Sequence, residues 1–262
     1  VKIGYFQFAP IFGKVEENRE KIVEAVRQSD AELLVLPELA TSGYYYPDSA
    51  CARSLSETVP GPTTDAVAKA AADRGMHVVL GLPEKDGEHL YNSAVLIDGG
   101  GLRGVYRKVH LFNEEKLHFA AGFEAFPLFE VAGAKVGLLV CFDHMFPEAA
   151  RSLALAGAQI ICHPSNLVLP EYGQLTSRVR ALENRVFWIL SNRFGRETVG
   201  EKSLTFTGCS QVVDPTGKIL IAAEPDAEET DAVEIDPSKA DNKEITPYNR
   251  LFEDRRPELY TG

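Results

Sequence analysis

The sequence predicts a single-domain α/β protein built as a four-layer α-β-β-α sandwich. Two observations predict it. Each half of the chain runs strand, helix, strand, helix and then further strands. Several of those strands are apolar on both faces, which is the pattern of sheets covered by helices. No low-complexity linker interrupts the 262 residues, so residues 1–262 are expected to form one domain with an ample core. From about 237 to 262 the composition turns polar and reads as a C-terminal tail.

Taken in order, Lys2 to Phe8 is a short aromatic-rich strand, and Glu16 to Ser29 places Ile22, Val23, Ala25 and Val26 at helical spacing. Ala31 to Leu36 is a continuous apolar run stopped by Pro37, the mark of a strand buried on both sides. Thr63 to Arg74 follows as a helix with Asp65 in its first turn, then Met76 to Leu82 as a strand. Tyr91 to Asp98, the glycines 99–101 and Leu102 to Lys108 read as a β-hairpin. The second half repeats this grammar. Ala134 to Val140 is a strand, Phe146 to Ala156 a helix with Pro147 near its start, and Ala158 to His163 a strand. Gln174 to Asn184 is a helix, Val186 to Asn192 a strand, and Leu204 to Val213 pairs with Lys218 to Ala223 across an Asp214–Gly217 turn.

Charge and composition exclude several classes of function. Against 38 Asp+Glu stand 27 Lys+Arg, for a formal charge of −11, and there is no basic stripe suited to nucleic acid or an anionic membrane. No apolar run approaches the ~20 residues of a membrane span. No secretory leader is read at the N-terminus, and no Asn-x-Ser/Thr sequon occurs. Cys51, Cys141, Cys162 and Cys209 form no CxxC pair, so a reducing, cytoplasmic setting without disulfides is expected.

The familiar cofactor motifs fail. Gly99, Gly101 and Gly104 satisfy GxGxxG, but Leu102 to Arg107 behind them is strand-like, whereas a dinucleotide site needs a helix to start there. Neither a phosphate-binding loop nor a zinc-type Cys/His spacing is present, and the six histidines are dispersed. No cofactor and no metal are expected.

Three segments instead deliver a reactive group where an apolar strand ends. Leu33 to Pro37 leads to Glu38, Tyr106-Arg107 leads to Lys108, and Val136 to Val140 leads to Cys141. Carboxyl ends of strands are where open α/β sheets form ligand crevices. By residue type alone each has a plain alternative: Glu38 a helix-terminal acid, Lys108 a solvated edge lysine, Cys141 a small buried hydrophobe.

Taken together, these segments resemble the nitrilase superfamily, the carbon–nitrogen hydrolases, over nearly the whole chain. Leu36-Pro37-Glu38 with Ser42-Gly43-Tyr44 is similar to the segment around the family's catalytic glutamate. Tyr106 to Phe112, with Glu115, Phe119 and Gly122, is similar to its lysine segment, and Cys141-Phe142-Asp143 with Phe146-Pro147-Glu148 to its nucleophile turn. Arg180 to Asn184 and Asp254 to Pro257 match further recurrent stretches. The likeness is greatest to short nitrilase-like aliphatic amidases, and it implies the same α-β-β-α sandwich.

The resemblance implies hydrolysis of a small aliphatic terminal amide to acid and ammonia through a thioester on Cys141. Glu38 would be the base and acid, Lys108 with the Phe142 N–H would hold the oxyanion, and Glu115 would position the lysine and the substrate amide. Tyr44, Phe142, His144 and Asn166 are expected around the substrate. Met145 stands four residues after Cys141, where relatives acting on carboxylate-bearing substrates carry arginine, so a carboxylate loses its natural bidentate partner. Phe142-Asp143 replaces the Trp-Glu of longer nitrilases, which favours amides over nitriles. The family also implies a homodimer or higher homo-oligomer with the tail at the interface. Acyl transfer, nitrile or carbamoyl hydrolysis, and a non-catalytic interaction protein that kept the fold are the competing readings.

Overall fold

The computed structural model describes residues 1–260. Its first half contains β1 (Lys2–Gln7), α1 (Val15–Gln28), β2 (Leu33–Val35), α2 (Ser49–Leu55), α3 (Pro62–Arg74), β3 (His77–Asp86), β4 (His89–Asp98), β5 (Gly101–Arg107) and α4 (Glu115–His118). Then come β6 (Leu128–Val131), β7 (Ala134–Leu138), a 3-10 turn (Cys141–Met145), α5 (Pro147–Leu155), β8 (Ile160–Ser165), α6 (Tyr172–Asn184) and β9 (Phe187–Asn192). The chain finishes with β10 (Phe194–Val199), β11 (Lys202–Thr207), β12 (Gln211–Val213), β13 (Ile219–Ala222), β14 (Glu229–Glu234), β15 (Glu244–Thr246) and β16 (Asn249–Arg250).

Two six-stranded sheets result, in the orders β14-β1-β2-β3-β4-β5 and β13-β12-β9-β8-β7-β6. The period of two along each strand divides its side chains between two cores. Ile3, Tyr5, Leu33, Val35 and Val79 join Val136, Leu138, Ile160 and Ile189 in the core between the sheets. Their neighbours Phe6, Phe8, Leu34, Leu36, Val78 and Leu80 pack instead with Ile22, Val26, Val67 and Ala71 of α1 and α3. Central strands buried on both faces therefore read as unbroken apolar runs. On the outer side of the second sheet α5 lies so close that a Cβ on Gly137 would stand 2.7 Å from Leu153.

Two readings of the sequence need correction. The expected strand Leu204–Val213 is two strands, because Gly208 and Cys209 take positive φ values of 57° and 53° and break the run. The first part, β11, pairs with β10 as a separate hairpin, and only β12 enters the sheet. The sequence reading also omits β14, which pairs with β1 along its whole length, because Glu229–Glu234 is too charged to resemble a buried strand. The glycine run is a hairpin turn, with Gly101 at φ 113°.

The described part of the tail lies against its own α6. Lys243 Nζ donates to the terminal carbonyls of Asn184 and Arg185 at 3.0 and 2.9 Å, and Phe252 sits beneath Arg151 and Lys243. Residues 261–262 of the expected tail fall outside the described residues.

Candidate active site

Glu38, Lys108 and Cys141 each follow the carboxyl end of a strand, β2, β5 and β7 respectively. β2 and β3 run parallel, and β5 returns to the same direction through antiparallel β4, so the first two tips share one edge. In the second sheet β7 and β8 run parallel, which puts Cys141 and Asn166 at one edge. A hydrogen bond of 2.9 Å from Asn166 Nδ2 to the Glu38 carbonyl ties the two edges together.

Lys108 and Glu38 are fully buried, and Glu115 is nearly so. The ammonium donates to Glu38 Oε1 at 2.7 Å and to Glu115 Oε1 at 2.8 Å. Asn92 Nδ2 donates to the same Glu38 oxygen at 2.7 Å, and Tyr44 OH donates to Glu115 Oε1 at 2.8 Å. The Phe112 N–H reaches Glu115 Oε2 at 3.2 Å. One cation thus serves two carboxylates, and Glu115 is anchored from three sides. The other Glu38 oxygen, Oε2, is buried without a partner among the described residues.

The electrostatics follow from this crowding. Burial pushes the Glu38 carboxyl above its ordinary value, and Lys108 only partly offsets it. Burial alone would pull Lys108 down, but Glu115 and Glu38 outweigh it and hold the ammonium charged. Burial also raises the Cys141 thiol well above its usual range, with Glu38 adding to the shift and Lys108 opposing it. The thiol is therefore protonated at rest, and attack needs a neighbouring base to take its proton.

Cys141 opens the 3-10 turn with φ 42°, a left-handed conformation that is strained for a residue with a side chain. Two buried groups hold it there. His163 Nε2 donates to the Cys141 carbonyl at 2.8 Å while its Nδ1 accepts from Trp188 Nε1 at 3.2 Å, which fixes the neutral tautomer. Burial depresses His163 to about 3, so the ring stays uncharged. Asp143 accepts from Tyr106 OH, the Val140 N–H and His110 Nδ1 at 2.8, 2.9 and 2.7 Å, binding the nucleophile turn to the lysine segment.

A cavity of about 20 Å³ beside Cys141 is lined by Phe112, Phe142, His144, Asn166, Leu167 and Val168, among others. Tyr44 lines a neighbouring cleft of about 40 Å³ with Glu115 and Phe119. Met145 is partly exposed and is not among the residues around the cavity. All eight residues singled out from the sequence thus fall in one region. Sequence reasoning missed Asn92, His163, Arg193 and Glu197. The last two form a buried pair at 2.7 Å, and Glu197 accepts the Tyr44 and Tyr45 N–H groups at 3.0 and 2.6 Å. The available signal was polarity inside apolar strands, as in Tyr91-Asn92-Ser93. Among the described residues no cluster of three or more His, Cys, Asp or Glu could hold a metal ion.

Comparison with known proteins bears on this arrangement. A family model described as carbon-nitrogen hydrolase matches residues 2–243. The chain belongs to that family, in the nitrilase superfamily. It is 40% identical to a protein named nitrilase from Pyrococcus abyssi, with 99% of both chains covered. An amidase from Nesterenkonia sp. has a similar solved structure, with TM-score 0.84, 28% identity, and coverage of 99% of this chain and 94% of that one. A mutant of that amidase carries acrylamide added at its active-site cysteine; the match has TM-score 0.82, 26% identity, and coverage of 99% and 98%. As a carbon–nitrogen hydrolase of the amidase-containing superfamily, the protein shares the fold of these enzymes, with its sheets flanked by helices.

Proposed function

We propose that the protein hydrolyses small aliphatic primary amides to carboxylic acid and ammonia through a thioester on Cys141. The observation that carries this reading is a pair of buried acceptors without donors among the described residues, Glu38 Oε2 and Asn166 Oδ1. Asn166 must present its oxygen, because its nitrogen is committed to the Glu38 carbonyl. Buried acceptors left unpaired are costly, and a primary carboxamide brings two N–H donors where a nitrile brings none. The narrow, mostly apolar cavity suits a short neutral acyl chain.

In this reading Glu38 accepts the thiol proton as the Cys141 sulfur attacks the amide carbon. The carbonyl electron pair moves to oxygen, where Lys108 and the Phe142 N–H stabilise it. That N–H belongs to the first turn of a helix, where N–H groups lack an intrahelical acceptor. Glu38 returns its proton to nitrogen as the C–N bond breaks and ammonia leaves. It then takes a proton from water, whose oxygen displaces the sulfur to give the acid, and the thiol recovers its proton. Glu115 keeps Lys108 aimed and charged throughout.

The test is ammonia release from a panel of simple primary amides, the matching nitriles and N-carbamoyl compounds. Short amides should be turned over with far higher kcat/KM than nitriles of equal length. Nitriles as the better substrates would overturn the amide assignment. Acid formation that gives way to amine conjugates when amines are added would favour acyl transfer.

A further inference from the structure

The cavity beside Cys141 holds one polar group that the chemistry above does not use. His144 is buried and lines this cavity, and its Nδ1 lies 2.6 Å from Thr176 Oγ1. The Thr176 hydroxyl has a single proton, and the Tyr172 carbonyl, which can only accept, stands 2.7 Å from it. Thr176 must therefore donate to Tyr172 and accept from His144, so the imidazole carries its proton on Nδ1. Nε2 is left as a bare acceptor. It has no partner among the described residues, and the ring that carries it lines the cavity.

The groups around the ring keep it neutral. Burial, then Arg180 and Lys108, depress His144 to about 4, with Asp143 opposing. Arg180 offers nothing to a ligand here, because its donors go to the His144 and Met145 carbonyls and to Glu183. The neighbouring His163, its ring centre 5.6 Å away, spends both nitrogens on Cys141 and Trp188. The rest of the wall is largely apolar. This cavity, which the proposal assigns to the acyl chain, thus presents a hydrogen-bond acceptor and, among the described residues that line it, no cation.

We propose that His144 Nε2 is a specificity group that selects amides whose acyl chain carries a hydrogen-bond donor close to the carbonyl. This deepens the amidase reading and rests on it. A hydroxyl donor meets the lone pair directly. An acyl carboxylate would face that lone pair with no counter-charge and is disfavoured.

The experiment compares kcat/KM for 2-hydroxypropionamide, 2-aminopropionamide and propionamide in the wild type, His144→Phe and His144→Gln. Ratios are taken within each protein, so that general losses of activity cancel. The expected result is a wild-type preference of about tenfold for a donor-bearing amide over propionamide. That preference should be lost in His144→Phe and partly kept in His144→Gln, which retains an acceptor. The hydroxy and amino arms distinguish a neutral donor from an ammonium. A wild-type ratio at or below one, or a ratio unchanged in His144→Phe, overturns the proposal while leaving amide hydrolysis standing. Failure of all three amides to react overturns the amidase reading itself, a different outcome.

Discussion

Removing the charge of Glu38 and removing the charge of Lys108 leave different buried remainders. Glu38→Gln leaves Lys108 paired with Glu115, one cation to one anion. Lys108→Ala leaves two carboxylates in a dry site with no cation between them. Because burial raises Glu38, the folded carboxyl binds its proton more tightly than the unfolded one does. Its ionised form therefore costs stability, increasingly so as pH rises above the usual 4.5. Glu38→Gln is thus expected to abolish turnover with an equal or higher Tm at pH 7, whereas Lys108→Ala should lose about 3–5 kcal/mol together with activity. Thermal melts of both variants check this, and a marked drop in Tm for Glu38→Gln would contradict it. The same raised carboxyl sets the acid limb in the wild type. Since the base must be ionised to take the thiol proton, kcat/KM should fall as pH drops through an apparent value above 4.5.

Elements deliver these side chains, and their delivery depends on close backbone approach. Glu38 passes over β3 at Gly81, where a Cβ would stand 2.5 Å from the Glu38 Cα and 2.6 Å from the Pro37 carbonyl. The Leu36 and Ala40 N–H groups bond the Val79 and Gly81 carbonyls on either side, so the loop has little room to yield. Gly81→Ala should therefore displace the base and lower kcat/KM roughly a hundredfold, with far-ultraviolet circular dichroism unchanged. Full activity in that variant would show that the position of Glu38 tolerates the shift. This dependence also explains what could be read from the sequence. Apolar strands ending at Glu38 and Cys141 were visible, because a strand buried on both sides leaves an unbroken run, whereas Lys108, at the end of the half-buried edge strand β5, stood out through the resemblance of its segment. The contact of Gly81 with Glu38 and the bond from Asn92 were not, since both depend on which strands become neighbours.

Across the whole molecule, the four layers were legible because each sheet alternates its side chains between two cores. The β10–β11 hairpin and β14 were not, since neither is apolar enough to stand out. The Arg193–Glu197 pair that braces Tyr44 was hidden for a related reason, as its partners come from distant loops. The outer face of α6 leaves Tyr172, Leu175, Val179 and Leu182 exposed at helical spacing. We propose that this apolar stripe, on a helix that already packs on its own sheet, is an association surface. A homodimer or larger homo-oligomer is expected, and sedimentation velocity should show it at micromolar concentration. Val179→Glu with Leu182→Glu should then shift the protein toward monomer, whereas a wild-type monomer at every concentration would contradict the expectation.

Turnover in the proposed reaction depends on acylation of the Cys141 sulfur. The direct measurement is intact-protein and peptide mass spectrometry after acid quench of the wild type mixed with a short primary amide. An acyl adduct is expected on the Cys141 peptide, formed with release of one ammonia and absent in Cys141→Ala. Ammonia release that persists in Cys141→Ala, or an adduct confined to Cys51, Cys162 or Cys209, would contradict it.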